Sequence, residues 1–141
     1  MSYRSDRFQL YKGTEIPKQI HQVETMPEAE QELLLAKILE QGVHGFCFSI
    51  YEEGQQPGDI ISEEQIRRRM MLLQPHTRWV RSFSCIEGNE LVPKVAKELG
   101  MKTLVGAWLG TDEEKNRQEL DGLIALAKDG LVDVAAVGNE V

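Results

Sequence analysis

Lys102-Thr103-Leu104-Val105-Gly106-Ala107-Trp108-Leu109-Gly110, followed by Thr111-Asp112-Glu113-Glu114, is the stretch on which the fold turns. Lys102 to Gly110 reads as a strand. Thr111-x-x-Glu114 then forms a capping box, and Leu120, Leu123, Ile124 and Ala127 carry an apolar helical face toward a stop at Gly130. Leu131 to Val141 reads as the next strand. Strand, helix and strand in this order are the pattern of parallel pairing through a right-handed crossover.

The same cycle extends toward the amino terminus. Thr77 to Cys85 reads as a strand and Asn89 to Leu99 as a helix, with Pro93 near its start and Gly100 at its stop. In Gly42 to Tyr51, Phe46, Phe48 and Ile50 alternate with Gly45, Cys47 and Ser49, a period of two that predicts a strand covered on both faces. A turn around Gly54, Pro57 and Gly58 leads to a capping box of Ser62 with Gln65 and an Ile61 to Ile66 staple. Ile66, Met70 and Leu73 mark the buried side of that helix. Thr25-x-x-Glu28, with Pro27 in the first turn, opens a leading helix with Leu34, Leu35, Ile38 and Leu39 on one face. Met1 to Glu24 is expected to be an irregular extension, and residues 25–141 to form one α/β unit.

Two architectures suit four such units, a doubly wound sheet and a (β/α)₈ barrel. A doubly wound sheet often has a glycine-rich phosphate loop after its first strand. Glu52-Glu53-Gly54-Gln55-Gln56 is not one, because two carboxylates there would repel a phosphate. The same turn argues against a phosphate- or nucleotide-binding domain.

Composition narrows the partners. The chain has 141 residues and a formal charge of −7, so nucleic acid is not an expected partner. Its basic cluster, Arg67, Arg68 and Arg69, stands beside Glu63 and Glu64 and reads as a solvated helix face. Cys47 and Cys85 lie in apolar runs without metal-ligand spacing and are expected to be buried, reduced thiols; no metal or cofactor is implied. No membrane segment is expected, and without a visible export signal a cytoplasmic location is the default reading.

Chemistry is expected at the carboxyl ends of the strands. Those ends deliver Ser49 and Tyr51, then Arg81, Phe83 and Ser84, then Trp108, and last Asn139 and Glu140. Aromatic faces pack on the C–H surfaces of a sugar while Asn, Arg and carboxylate bind its hydroxyls. Glu140 follows the apolar run Val134-Ala135-Ala136-Val137-Gly138, and partial desolvation at the mouth of a packed core would raise its pKa toward general-acid use. A Glu that caps a following helix, or is simply solvated, fits the same spacing.

Four blocks together resemble a known family: Gly45-Phe46-x-x-Ser49-x-Tyr51-x-x-Gly54-Gln55-x-Pro57, Val80-Arg81-Ser82-Phe83-Ser84, Gly106-Ala107-Trp108-Leu109-Gly110 and Val137-Gly138-Asn139-Glu140-Val141. They are similar to glycoside hydrolase family 17, the β-1,3-glucanases, in its bacterial form, over about Gly42 to Val141. The resemblance implies parallel (β/α) units forming the first four strands of a TIM (β/α)₈ barrel. It also implies a retaining hydrolase or transglycosylase that acts on β-1,3-glucan without a cofactor. Glu140 stands at the position of its acid/base with Asn139 beside it, and Tyr51, Arg81, Phe83 and Trp108 match positions near the sugar cleft.

The family's nucleophilic glutamate lies near a seventh strand, beyond this chain. A half barrel with open edges is therefore expected, catalytically incomplete as it stands and prone to self-association. It is either part of a longer enzyme or one of two copies that complete a barrel. Glucosyl transfer by the same fold, or glucan binding without turnover, are the other expectations.

Overall fold

The computed structural model describes residues 23–138, and the backbone divides into two compact units, Met1–Ile38 and Leu39–Val141. Helix α1 (Glu28–Gln41) runs across the division, and none of its residues is buried. It starts later than Thr25 implies. The Pro27 carbonyl accepts from the N–H groups of Glu30 and Gln31, so Pro27 occupies the cap position. A residue before proline is pushed out of the α region, so the helix cannot run back through Met26. The Gln31 side chain instead donates to the Met26 carbonyl at 2.9 Å. Val23 and Glu24 are helical rather than irregular; the rest of the extension lies outside the described residues.

The second unit holds β1 (Val43–Cys47), α2 (Glu63–Leu73), β2 (Thr77–Ser82), α3 (Leu91–Glu98), β3 (Lys102–Ala107), α4 (Glu113–Lys128) and β4 (Val134–Val137). All neighbouring strands pair in parallel, in the spatial order β1-β2-β3-β4. That order decides between the two architectures. Crossovers of one hand that always step the same way put every helix on one face, whereas a doubly wound sheet reverses direction at a switch point. The unit is an α/β half barrel.

Register shows the two faces. Phe46 pairs with Val80, Val80 with Thr103, and Ser82 with Val105, which sets these side chains toward the helices. Val80, Ser82, Thr103 and Val105 are buried there. Gly45, Cys47, Trp79, Arg81, Lys102 and Leu104 share the opposite face, which is open. Two-sided cover of β1 is therefore not found: Cys47 is exposed, contrary to expectation, while Cys85 is buried. Burial, helped by the negative charges of Glu119 and Glu90, pushes the Cys85 thiol up to about 12, so it stays protonated and donates to the Gly106 carbonyl. β4 is not packed either, since Val134, Ala135 and Val137 are exposed. Among the described residues, no helix is long and apolar enough to cross a membrane.

The core lies in two clusters. Phe48, Ile50, Ile61, Ile66, Met70 and Val80 pack with Val92, Val95, Ala96 and Met101 under α2 and α3, so Met70 and the Ile61–Ile66 pair stand where the pattern puts them. Cys85, Val105, Ala107, Leu123 and Leu126 form the second cluster under α4. Arg67 pairs with Glu63 and Glu98, Lys94 with Glu63, and Arg68 with Glu52, so the arginine cluster is a solvated ion-pair surface. Such exposed pairs are screened by solvent and contribute little to stability.

Helix α4 differs from its pattern in two ways. Its cap is Asp112, whose carboxylate accepts from the N–H groups of Glu114 and Lys115, and not Thr111. Its buried face is Glu119, Leu123 and Leu126, with Leu120 half-buried against the same cluster as expected, whereas Ile124, 51% exposed, and Ala127 face outward. Gly122 explains the rotation. A Cβ at Gly122 would stand 2.8 Å from the Cys85 carbonyl oxygen, so the helix approaches the end of β2 along its glycine side. Gly122→Ala should lower stability by about 1–3 kcal/mol through overpacking, despite the roughly 1 kcal/mol that alanine contributes to a helix. A urea melt with an unchanged or higher midpoint would show that the contact is not tight.

Asp133 ties the start of β3 to its neighbours. Its Oδ2 accepts from Lys97 Nζ and from the Thr103 N–H, each at 2.8 Å. The Lys97 hydrogen bond, then the Thr103 N–H, hold the carboxyl below its ordinary value of 3.8. A depressed carboxyl pKa contributes stability that is present above the unfolded value and lost as pH falls through the folded one. Asp133→Asn should therefore flatten the fall in stability below about pH 4. Parallel acid-unfolding curves for the two proteins would contradict the assignment.

Candidate functional site

A cleft of about 510 Å³ opens where β1, β2 and β3 end, lined by Ser49, Tyr51, Phe83, Ser84 and Trp108 among others. Each strand stops short of its expected end, and the polar and aromatic residues beyond the ladder form the walls. After β1 the alternation persists. Phe48 and Ile50 are anchored in the core, so Ser49 and Tyr51 turn to the cleft, and Tyr51 packs partly against that core. Trp108 leaves the end of β3 49% exposed, a large apolar surface at the mouth of the cleft.

The loop after β1 is pinned from α2. Ser62 caps the helix by accepting from the Gln65 N–H, but the Gln65 side chain does not complete the box. Its amide donates to the Ile50 carbonyl at 2.8 Å and to Gln55 Oε1 at 2.7 Å, and Gln55 Oε1 also accepts from the Glu52 N–H. The turn carrying Glu52 is therefore held both by a hydrogen bond within the loop and by the Gln65 side chain of α2.

Arg81 does not line this cleft. It lies on the open sheet face beside Cys47, Trp79 and Leu104, in a smaller cavity of about 190 Å³. Its guanidinium carbon is 4.6 Å from the centre of the Phe83 ring, so it meets the cleft through a cation–π contact with that ring. Asn139 and Glu140 lie outside the described residues. β4 reaches Val137, and the Gly138 N–H donates to the Ala107 carbonyl at 3.1 Å, next to the residue that bears the Trp108 side chain.

Three cleft residues were not legible in the sequence. Glu119, 3% exposed, accepts from Ser84 Oγ and, at 2.7 Å, from the Cys85 N–H, so helix α4 holds the segment that follows β2. One turn earlier, Lys115 lies 3.4 Å from Glu87 Oε1. Glu87 has a left-handed backbone, with φ of 55°. A mid-helix glutamate reads as solvated, and its 3-4-3 spacing with Asn116, Leu123 and Leu126 is the one available signal for Glu119. Among the described residues, no group of three or more His, Cys, Asp or Glu side chains is arranged to hold a metal ion.

No protein-family model and no curated protein matches the chain. Two solved structures do, both of a Rhizomucor miehei β-1,3-glucanosyltransferase, one described as belonging to glycoside hydrolase family 17 and the other an active-site mutant in complex with laminaritriose. Each is 22% identical with a TM-score of 0.57, covering 72% of this chain and 38% of its own. The chain thus spans about two fifths of the length of these structures. The likeness establishes a shared fold over part of these structures.

Proposed function

Proceeding from that shared fold, we propose that the chain is the proton-donor half of an enzyme that processes β-1,3-glucan. The observation that carries the reading is the convergence of Tyr51, Phe83 and Trp108 on one cleft at the carboxyl ends of the parallel strands. The same fold is found in a neighbour solved with laminaritriose. Aromatic rings give a sugar's C–H faces a surface to stack on, and Ser49 and Ser84 offer hydroxyls beside them.

In this reading Glu140 is the general acid/base, Asn139 binds a neighbouring sugar hydroxyl, and Arg81 steadies Phe83 from the open sheet face. Retaining chemistry requires a second carboxyl group about 5–5.5 Å from the first, which attacks the anomeric carbon as the leaving oxygen is protonated. Two other cleft carboxylates have structural tasks: Asp112 caps α4 and Glu119 anchors the segment after β2. Glu87 is counted with the binding wall, beside Lys115. The nucleophile is accordingly assigned to a further part of a longer polypeptide or to a second copy that closes the barrel.

The covalent intermediate is shared by hydrolysis and glucosyl transfer, which differ in whether water or a sugar hydroxyl intercepts it. Hydrolysis is the first reading; transfer is the second, favoured by the activity of the two fold neighbours. Laminaritriose titrated into the protein, with reducing ends assayed and products sized, tests all of this. Shorter products support hydrolysis and longer ones transfer, while binding alone fits either a proton-donor half without its nucleophile or a non-catalytic glucan-binding half barrel. Absence of binding would overturn the proposal.

A further inference from the structure

We infer that Glu87 is a specificity-determining residue of this cleft: its carboxylate, presented by a left-handed backbone and flanked by Lys115, accepts hydrogen bonds from the hydroxyls of a bound glucosyl unit. The inference rests on the glucan reading and deepens it.

Three observations converge. First, Glu87 combines a φ of 55° with a neighbouring Gly88 at 89°, a conformation in which a side chain is strained and glycine is not. Second, the folded state gains little from the side chain locally. Its ion pair with Lys115 spans 3.4 Å between side chains 37% and 61% exposed, a pair of the kind that contributes least to stability. Third, the residue lines the cleft that holds Tyr51, Phe83 and Trp108, where a charged acceptor beside aromatic faces suits a polyhydroxylated ring.

The support behind Glu87 makes its position definite. Lys115 and Glu119 are four residues apart on α4, one flanking Glu87 and the other gripping Ser84 and the Cys85 N–H. Ser84 Oγ also accepts from the Ile86 N–H at 3.2 Å, so the backbone leading into Glu87 is held at successive points. A backbone held in this way leaves only the side chain to be ordered when a ligand binds, which favours affinity.

The test compares the unaltered protein with Glu87→Gly and Glu87→Gln, reading laminaritriose affinity by calorimetry and the melting midpoint together. Glu87→Gly is expected to leave the midpoint unchanged or higher while weakening binding by about tenfold or more, the scale of a hydrogen bond to a charged group. Glu87→Gln, which keeps size but loses charge, should weaken binding in the same direction without lowering the midpoint. Both variants binding as tightly as the unaltered protein would overturn the inference alone. A lower midpoint in parallel with weaker binding would overturn it in favour of a structural role. An unaltered protein that binds no laminaritriose would overturn the glucan reading and this inference with it.

Discussion

Glu140→Gln is expected to cut turnover of unactivated β-1,3-glucan by about 10²–10⁴-fold, the usual contribution of a positioned general acid, in the assembly that carries out the reaction. The amide keeps the size of the side chain but has no acidic proton to give the departing oxygen. Glucan affinity should be largely spared, because the proposed reading gives the holding to the aromatic walls. A substrate whose leaving group departs without protonation should lose far less at the glycosylation step. The kinetics of laminarin and of an activated aryl glucoside, set side by side, check this. Equal losses on both substrates, or no loss on either, would remove Glu140 from the role of proton donor.

The second large effect is expected at Glu119, and it is one of stability. Glu119→Ala takes the acceptor from the Cys85 N–H and from Ser84 Oγ in a buried site. An unsatisfied buried donor costs about 1–3 kcal/mol, and the cavity left by the side chain adds to it, so a loss of about 2–4 kcal/mol is expected. Ser84 recovers part of this through the Ile86 carbonyl, towards which its hydroxyl is already directed. Glu119→Gln, with one carbonyl oxygen for two donors, should fall between. Urea melts of the three proteins give the comparison; an alanine variant within about 0.5 kcal/mol of the parent would show that this carboxylate anchors nothing. The alanine variant should also bind laminaritriose more weakly, because the wall from Phe83 to Glu87 loses its hold on α4.

Much of the fold was legible because its signals are local. Alternation in Gly45 to Ile50, the Ser62 cap, the stop at Gly100 and the spacing of Ile66 and Met70 each depend on residues a few positions apart, and each holds. The misses share a cause as well. Thr25 and Thr111 resemble caps as well as their neighbours do, and backbone geometry near Pro27 and Asp112 chose otherwise. The face of α4 was misjudged because Gly122 brings the helix against Cys85, a contact between residues 37 apart that no helical period encodes. Of the candidate cleft residues, Tyr51, Phe83 and Trp108 were legible as aromatics at strand ends and do line one cleft, whereas Arg81 lies beneath it.

The sequence by itself determined the succession of parallel strand and helix units and the polar, aromatic chemistry at the strand ends, since both follow from period, capping and residue type along a short length of chain. Only the tertiary structure decided that the strands run in the order β1-β2-β3-β4 with one face open, and that Glu87, Lys115 and Glu119 share a cleft with the aromatic residues. Strand order and the meeting of α4 with the segment after β2 are set by packing between distant parts of the chain, where close backbone approach and buried hydrogen bonds outweigh any local preference.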